Sequence, residues 1–438
     1  MDELHGGRYE IRRFRAEAGD GPGFARTAEW IRAVNYGFYE KAAGQDLVRR
    51  IVDAYLADDR ELTGAYELGG PTVPGFTADR PVATFGTFRK TLNVGYGRLV
   101  PAHLVTAVTV RTDHRRRGLL RQLMGEDLAR AKADGVPVAA LTASEASIYR
   151  RFGYGVATLE RRVTVETGPR FRLAVKPAGR VVSVDPPAML DLAPQIFARA
   201  HWAVPGSIGR QERYRLRAAG QWADETGGTD SAARVAVHLD EEGRPDGYAA
   251  YSFRGWAHQT PTMELRDLVA ATPDAYLGLW EFLGSLDLIE RVSWNEAPAH
   301  DPLPWALVDA RALRAEETQD MLWVRILDVE AALSARRFAH DDALVLRVDD
   351  PLGLTTGRYR LTVADGEGRV ERLADEDPAP DDLTMDIAEL SSVYVGGVSP
   401  VMLAEAGRIR LGQQAPEAAL MLERMLAVER AAHCFTHF

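Results

Sequence analysis

Between Leu104 and Tyr154 the chain places a strand, a basic glycine-bearing turn, a helix and a second strand in immediate succession. Few folds accept that order. Leu104-Val105-Thr106-Ala107-Val108-Thr109-Val110 is a run of strand formers, and Thr112-Asp113-His114 reads as a turn. Arg115-Arg116-Arg117-Gly118-Leu119-Leu120 follows and opens a helix with Leu120, Met124, Leu128 and Ala131 on one face. Gly135 ends that helix, and Val136-Pro137-Val138-Ala139-Ala140-Leu141 reads as the second strand. A helix start of this kind suits a phosphate, because its first amide N–H groups lack internal partners and the macrodipole leaves that end positive. Gly118 would let backbone approach the anion closely, and the neighbouring arginines would add charge-assisted bonds. The plainer alternative is three solvated arginines leading into an ordinary helix.

These residues resemble the cofactor-binding core of the GNAT acetyltransferases, whose signature is Arg/Gln-x-x-Gly-x-Gly/Ala. Leu120 departs from the small residue at the last position. That form is found in one branch, the actinobacterial Eis-like N-acetyltransferases. Ser144-Glu145 through Ile148-Tyr149-Arg150-Arg151-Phe152-Gly153-Tyr154-Gly155 resembles the same branch. The likeness extends over nearly the whole chain.

A length of 438 residues exceeds one core and predicts two to four domains. The resemblance implies an α/β (α+β) chain of three: a catalytic GNAT domain over 1–167, a degenerate GNAT-like domain over 168–314, and a sterol-carrier-protein-like domain over 315–438. In the first, Tyr9 to Phe14 reads as a strand, Phe24 to Phe38 and Gln45 to Leu56 as helices, and Leu62 to Leu68 and Val82 to Val94 as strands. In the second, a strand at Glu264 to Ala270 again feeds a helix. The connection Ala271-Thr272-Pro273-Asp274 has neither arginines nor glycine, so one acetyl-CoA per chain is expected. In the third, Met321 to Leu327, Ala343 to Val348, Gly357 to Val363 and Val370 to Leu373 read as sheet strands.

The N-terminus shows no secretory pattern, and no apolar run approaches the roughly 20 residues that span a bilayer. Cys434 is the single cysteine, which excludes an internal disulfide and points to the cytoplasm. A net charge of −10 argues against a nucleic-acid partner and is compatible with a cationic substrate, although a solubility role explains it equally well. His433, Cys434 and His437 lack a second ligand pair, so no metal is expected. Nucleotide-binding P-loop, zinc-protease and nucleophile-elbow motifs are absent from the sequence.

Acetyl transfer from a thioester to an amine requires a fixed donor, a proton acceptor for the amine and a proton donor for the thiolate. Tyr149 matches the family's acid, and a phenol is still protonated at neutral pH. Tyr154 competes for that role, and plain packing is the alternative for either. The chain ends His433-Cys434-Phe435-Thr436-His437-Phe438, unusually aromatic for a terminus, which suggests a docked tail. The resemblance implies that the α-carboxylate of Phe438 enters the first domain's site as proton acceptor. It also implies backbone pairing of Val108, Thr109 and Val110 with the pantetheine arm, and contacts from Arg116, Arg117, Gly118, Leu119, Leu120 and Arg121 to the pyrophosphate. Ser144 and Glu145 would lie near the thioester, or else act as a helix N-cap pair. Trp30, Tyr36, Phe38 and Tyr39 fall where such enzymes build the acceptor pocket, although each alone reads as core. The implied reaction is direct acetyl transfer to primary amines of aminoglycoside-like or polyamine substrates, in a hexamer. A lipid- or acyl-CoA-binding protein and a protein-lysine acetyltransferase are the alternatives.

Overall fold

The structure is a computed structural model describing residues 8–71, 73–75, 77–223, 226–257 and 260–438. The first part of the chain forms β1 (Tyr9–Arg15), α1 (Pro22–Gly37), α2 (Gln45–Ala57), β2 (Glu61–Glu67), β3 (Ala83–Asn93), β4 (Leu99–Val110), α3 (Leu119–Ala133), β5 (Val138–Thr142), α4 (Ala146–Tyr149) and β6 (Gly155–Val156). β1 to β4 form an antiparallel meander, and β5 joins β4 in parallel. The parallel step requires a crossover, which α3 supplies. Its inner face buries Leu119, Leu123, Met124, Leu128 and Ala131, with Leu120 only half-buried at the rim.

The chain then enters a second sheet through β7 (Leu159–Glu166), β8 (Arg180–Val184), α5 (Met189–Ala203), α6 (Glu212–Ala218), β9 (Arg234–Leu239), β10 (Pro245–Phe253), β11 (Thr262–Ala270), α7 (Pro273–Gly284), β12 (Arg291–Pro298), α8 (Leu303–Ala306) and β13 (Leu313–Asp320). This sheet runs β13-β7-β12-β11-β10-β9-β8. The parallel β11–β12 pair with α7 between them echoes the β4-α3-β5 unit.

The remainder forms β14 (Leu322–Ile326), α9 (Val329–Ala335), β15 (Ala343–Asp349), β16 (Gly357–Ala364), β17 (Glu367–Leu373), β18 (Leu383–Asp386), α10 (Ile387–Val393), α11 (Pro400–Glu405), β19 (Ile409–Leu411) and α12 (Ala418–Leu426). The third sheet is ordered β17-β16-β15-β18-β19. Its apolar face packs on α9, α10 and α12 in a cluster that includes Leu346, Leu361, Met385, Leu390 and Leu422.

The sheets interleave instead of parting where the sequence does at 167 and 314. β14, which falls within the bounds expected for the third domain, inserts into the first sheet between β5 and β6, giving the order β1-β2-β3-β4-β5-β14-β6. All five of its residues are buried, as a central strand requires. Conversely, β7 leaves the first sheet and pairs with β12 and β13. Arg325, fully buried on β14, donates to the Phe152 carbonyl at 2.8 Å and to Asp350 at 2.6 Å. It thereby ties the third unit to the first. Among the described residues no helix is long and apolar enough to cross a membrane, and no cluster of His, Cys, Asp and Glu is placed to hold a metal.

Candidate active site

β4 and β5 pair only across Ala102–Leu104 and Val138–Ala140. Beyond Leu104, β4 bulges at Ala107 (φ 51°), where its register against β3 shifts. The Thr84 hydroxyl donates to the Ala107 carbonyl at 2.8 Å and lies 2.6 Å from Thr109 Oγ1, fixing the bulge. The two parallel strands therefore splay. The cleft they open, of about 810 Å³, is lined by Val108, Thr109, Val110, the segment Arg115 to Arg121, Ser144, Glu145 and Tyr149.

Gly118 caps α3 at φ 78° with no side-chain cap. A Cβ there would meet nothing within 4 Å, so the left-handed backbone is what calls for glycine. The first internal bond of the helix runs from Gln122 N–H to the Gly118 carbonyl at 3.0 Å. The amides of Leu119, Leu120 and Arg121 are consequently left open at the cleft. Arg116 and Arg121 are exposed, and among the described residues neither has an ion-pair partner. Arg117 differs. Its guanidinium donates to Tyr9 Oη and to the Asp113 carbonyl, both at 2.8 Å, bracing the turn from inside.

Beyond β5 the chain turns through Ser144 and Glu145 into the single turn of α4. Neither side chain caps that helix, which removes the N-cap reading. Tyr149 is 6% exposed and lies on the cleft, as does Ser144. Burial pushes the Tyr149 pKa up, and the neighbouring Ser144 hydroxyl offsets part of that rise. Tyr154 is fully buried, 3.9 Å from Met124 Sδ, and does not line the cleft. Of the four N-terminal aromatics, Phe38 and Tyr39 reach the cleft rim. Trp30 is core, donating to the Thr63 carbonyl at 2.8 Å, and Tyr36 is exposed.

The tail docks along the first two sheets. His433 N–H donates to the Pro205 carbonyl at 2.8 Å, and Arg210 donates to the Phe435 carbonyl at 3.0 Å. His437 N–H donates to Tyr214 Oη at 2.8 Å, and Gln211 donates to the His437 carbonyl at 3.1 Å. At the end, Phe438 N–H donates to Thr142 Oγ1 at 3.2 Å, and that hydroxyl donates back to Phe438 O at 2.7 Å. The Phe438 ring lies edge-on to Phe88, with centroids 5.8 Å apart. The last residue is thus pinned at the end of β5, two positions before Ser144.

A second cavity of about 500 Å³ opens there, lined by Thr142, Glu160, Arg162, Arg213, Arg217, Glu296, His437 and Phe438 among others. Glu160 accepts from Gln319 at 2.6 Å and lies 3.1 Å from His437 Nε2. Burial works to lower the His437 pKa, but the bond and charge of Glu160 prevail and raise it. Burial also raises the Glu296 carboxyl. Sequence reasoning missed Thr142, Glu160 and Glu296, and weighed His437 only as a metal ligand. Their residues come from β5, β7, β12 and the tail, and no local motif joins them.

Two buried histidines fasten this region. Burial lowers His201 and His433 to about 4. His201 bonds Thr91 and Ser207, each at 2.9 Å, and stacks on Phe197, which meets Phe435 edge-on. Between the ordinary value of 6.5 and about 4, the unfolded chain binds protons that the native state refuses. Stability should therefore fall as pH drops through that window, by up to about 3 kcal/mol per histidine. Urea unfolding midpoints at pH 7 and pH 5 check this, and unchanged midpoints would contradict it.

The second sheet offers no equivalent cleft start. Thr272 caps α7 by accepting from Ala275 N–H at 3.1 Å, Pro273 stands in the first turn, and Asp274 accepts from Ala178 N–H at 2.9 Å. A carboxylate already occupies the positive end of that helix.

Splayed parallel strands, an open helix start with free arginines and a buried tyrosine at the cleft define a GNAT-type acetyltransferase. Family models agree: two described as acetyltransferase (GNAT) domain match residues 25–157 and 206–326, and one described as sterol carrier protein domain matches 329–435. An uncharacterized N-acetyltransferase of Streptomyces avermitilis is 37% identical over 89% of this chain and 91% of its own. The N-acetyltransferase Eis of Mycobacterium tuberculosis is 36% identical over 71% of this chain and 75% of its own. The crystal structure of Eis1 from Mycobacterium abscessus superposes with a TM-score of 0.79 at 28% identity, covering 98% of this chain and 100% of that one. The chain belongs to the Eis-like GNAT N-acetyltransferases and is an acetyltransferase with two GNAT domains and a C-terminal sterol-carrier-protein-like domain.

Proposed function

We propose that the protein transfers acetyl from acetyl-CoA directly to a primary amine of a small molecule, with Tyr149 as proton donor and the terminal carboxylate of Phe438 as proton acceptor. The observation that carries this reading is the position of Phe438, held by Thr142 at the end of β5 where it lines the second cavity, two positions along the chain from the Ser144 that lines the cleft. The backbone of Val108 to Val110 would pair with the pantetheine arm. The amides of Leu119, Leu120 and Arg121, with the side chains of Arg116 and Arg121, would hold the pyrophosphate, while Arg117 keeps the turn rigid. Ser144 and Glu145 would border the thioester. The amine enters from the second cavity, loses a proton to the carboxylate and attacks the thioester carbonyl carbon. The C–S bond breaks, and the sulfur takes its proton from Tyr149. Use of acetyl-CoA as donor is consistent with a cytoplasmic enzyme, and the family resemblance suggests a hexamer.

Release of CoA thiol from acetyl-CoA by untagged protein, over a panel of aminoglycosides, polyamines and lysine peptides, tests the reaction. Silence across every small amine would overturn it. Calorimetry should find one acetyl-CoA per chain, because the capped start of α7 lacks open amides, and a stoichiometry of two would refute that expectation.

A second reading of the proton acceptor rests on the 3.1 Å contact between His437 and Glu160 in the same cavity. An imidazole with a raised pKa is the better base, leaving the carboxylate to hold the ammonium. In that case kcat/KM rises with pH through a value above 6.5, and His437→Asn removes the limb.

A further inference from the structure

Resting on the reading of the cleft as the acetyl-CoA site, we infer that Tyr9 is a positioning residue for the cofactor, setting the pyrophosphate-binding turn from β1 through Arg117 and His114. The turn is held in a costly shape. Arg116 (φ 62°) and Gly118 (φ 78°) are both left-handed, and at Arg116 a side chain makes that conformation unfavourable. The amides of Leu119, Leu120 and Arg121 stand open at the cleft only while that shape persists. What maintains it is the residue between the two left-handed positions. Arg117 donates to Tyr9 Oη and to the Asp113 carbonyl, each at 2.8 Å, tying the end of the turn to its own start and to the first strand. Tyr9 Oη also lies 2.8 Å from His114 Nδ1, and the other ring nitrogen is 2.9 Å from an Arg111 guanidinium nitrogen. A guanidinium can only donate, so Nε2 accepts. The neutral ring, the form that burial favours, then carries its proton on Nδ1 and donates it to Tyr9. The phenol oxygen thus accepts from both ends of the turn. Tyr9 is 8% exposed and His114 2%, so water is poorly placed to replace these bonds. Tyr9 is itself fixed by the pairing of β1 with β2, opposite Glu67. It does not line the cleft, so its effect on the cofactor must pass through the turn. Without the phenol oxygen the turn relaxes in the free enzyme, and binding must restore its shape.

Calorimetric Kd values for acetyl-CoA read this brace directly. Tyr9→Phe keeps the ring, removes only the oxygen, and should weaken acetyl-CoA binding about tenfold. Arg117→Gln should weaken it at least as much. The double variant should lose no more than Arg117→Gln alone, because the two residues act through one brace. Kinetics with the amine that releases most CoA in the panel then separate positioning from general damage. With acetyl-CoA as donor, Tyr9→Phe should raise KM about tenfold and leave kcat within about twofold of the wild type. With S-acetylpantetheine, which keeps the thioester and its arm but has no pyrophosphate, kcat/KM should be unchanged. An unaltered Kd in Tyr9→Phe overturns the inference and leaves the acetyl-transfer reading intact. Additive losses in the double variant, or an equal loss with both donors, overturn it in the same way. If no amine is acetylated, the acetyl-transfer reading fails, while the Kd series still upholds or refutes the brace. Wild-type protein that binds no acetyl-CoA would overturn both.

Discussion

Tyr149→Phe is expected to lower kcat by about 10²-fold or more while leaving the Kd for acetyl-CoA unchanged. The departing thiolate needs a proton, and the phenol that faces the cleft carries one at neutral pH, the more firmly because burial raises its pKa. Phenylalanine keeps the ring and its edge-on contact with Tyr154, at 6.2 Å between centroids, so the fold should persist. Steady-state kinetics together with calorimetry separate loss of chemistry from loss of binding. Turnover within a few-fold of the wild type would remove Tyr149 from the mechanism.

A single glycine appended after Phe438 should be nearly as damaging, reducing kcat/KM by about 10²-fold or more. The added residue converts the terminal carboxylate into a neutral amide and moves the charge about 3.5 Å along the chain. The anchors are unaffected in kind, since Thr142 can still bond the Phe438 N–H and carbonyl, and the ring still meets Phe88. Melting temperature should accordingly change little. Unchanged kinetics in the extended protein would exclude the carboxylate as proton acceptor and leave His437 with that role.

Legibility in the sequence followed the distance between cooperating residues. Apart from the rim at Gly37 to Tyr39, the cofactor cleft is lined from one continuous stretch, Val108 to Phe152, so strand, turn and helix signals placed nearly all of it. Within that stretch the sequence could not show that Arg117 turns inward to Tyr9, because its partner lies on β1. Nor could it separate Tyr149 from Tyr154, five positions apart, until the packing put one on the cleft and the other against Met124. The second cavity was illegible for a different reason. Glu160, Arg213, Glu296 and His437 stand on four segments that meet only in the tertiary structure. The tail announced its docking through two phenylalanines, but where it docks depends on Thr142, whose local context is an ordinary strand end. β14 illustrates the same limit, since four apolar residues around one arginine fit a central position in either sheet.

The placement of β14 between β5 and β6 has a consequence for how the enzyme can be cut or made. The catalytic sheet has a gap that only Leu322–Ile326 fills, so a fragment ending at 167 would expose the facing edges of β5 and β6 to unwanted pairing. During synthesis the sheet cannot close until the whole second unit has left the ribosome. Proteolytic nicking between the units should therefore yield pieces that stay together, and attempts to express the catalytic half alone should yield aggregates.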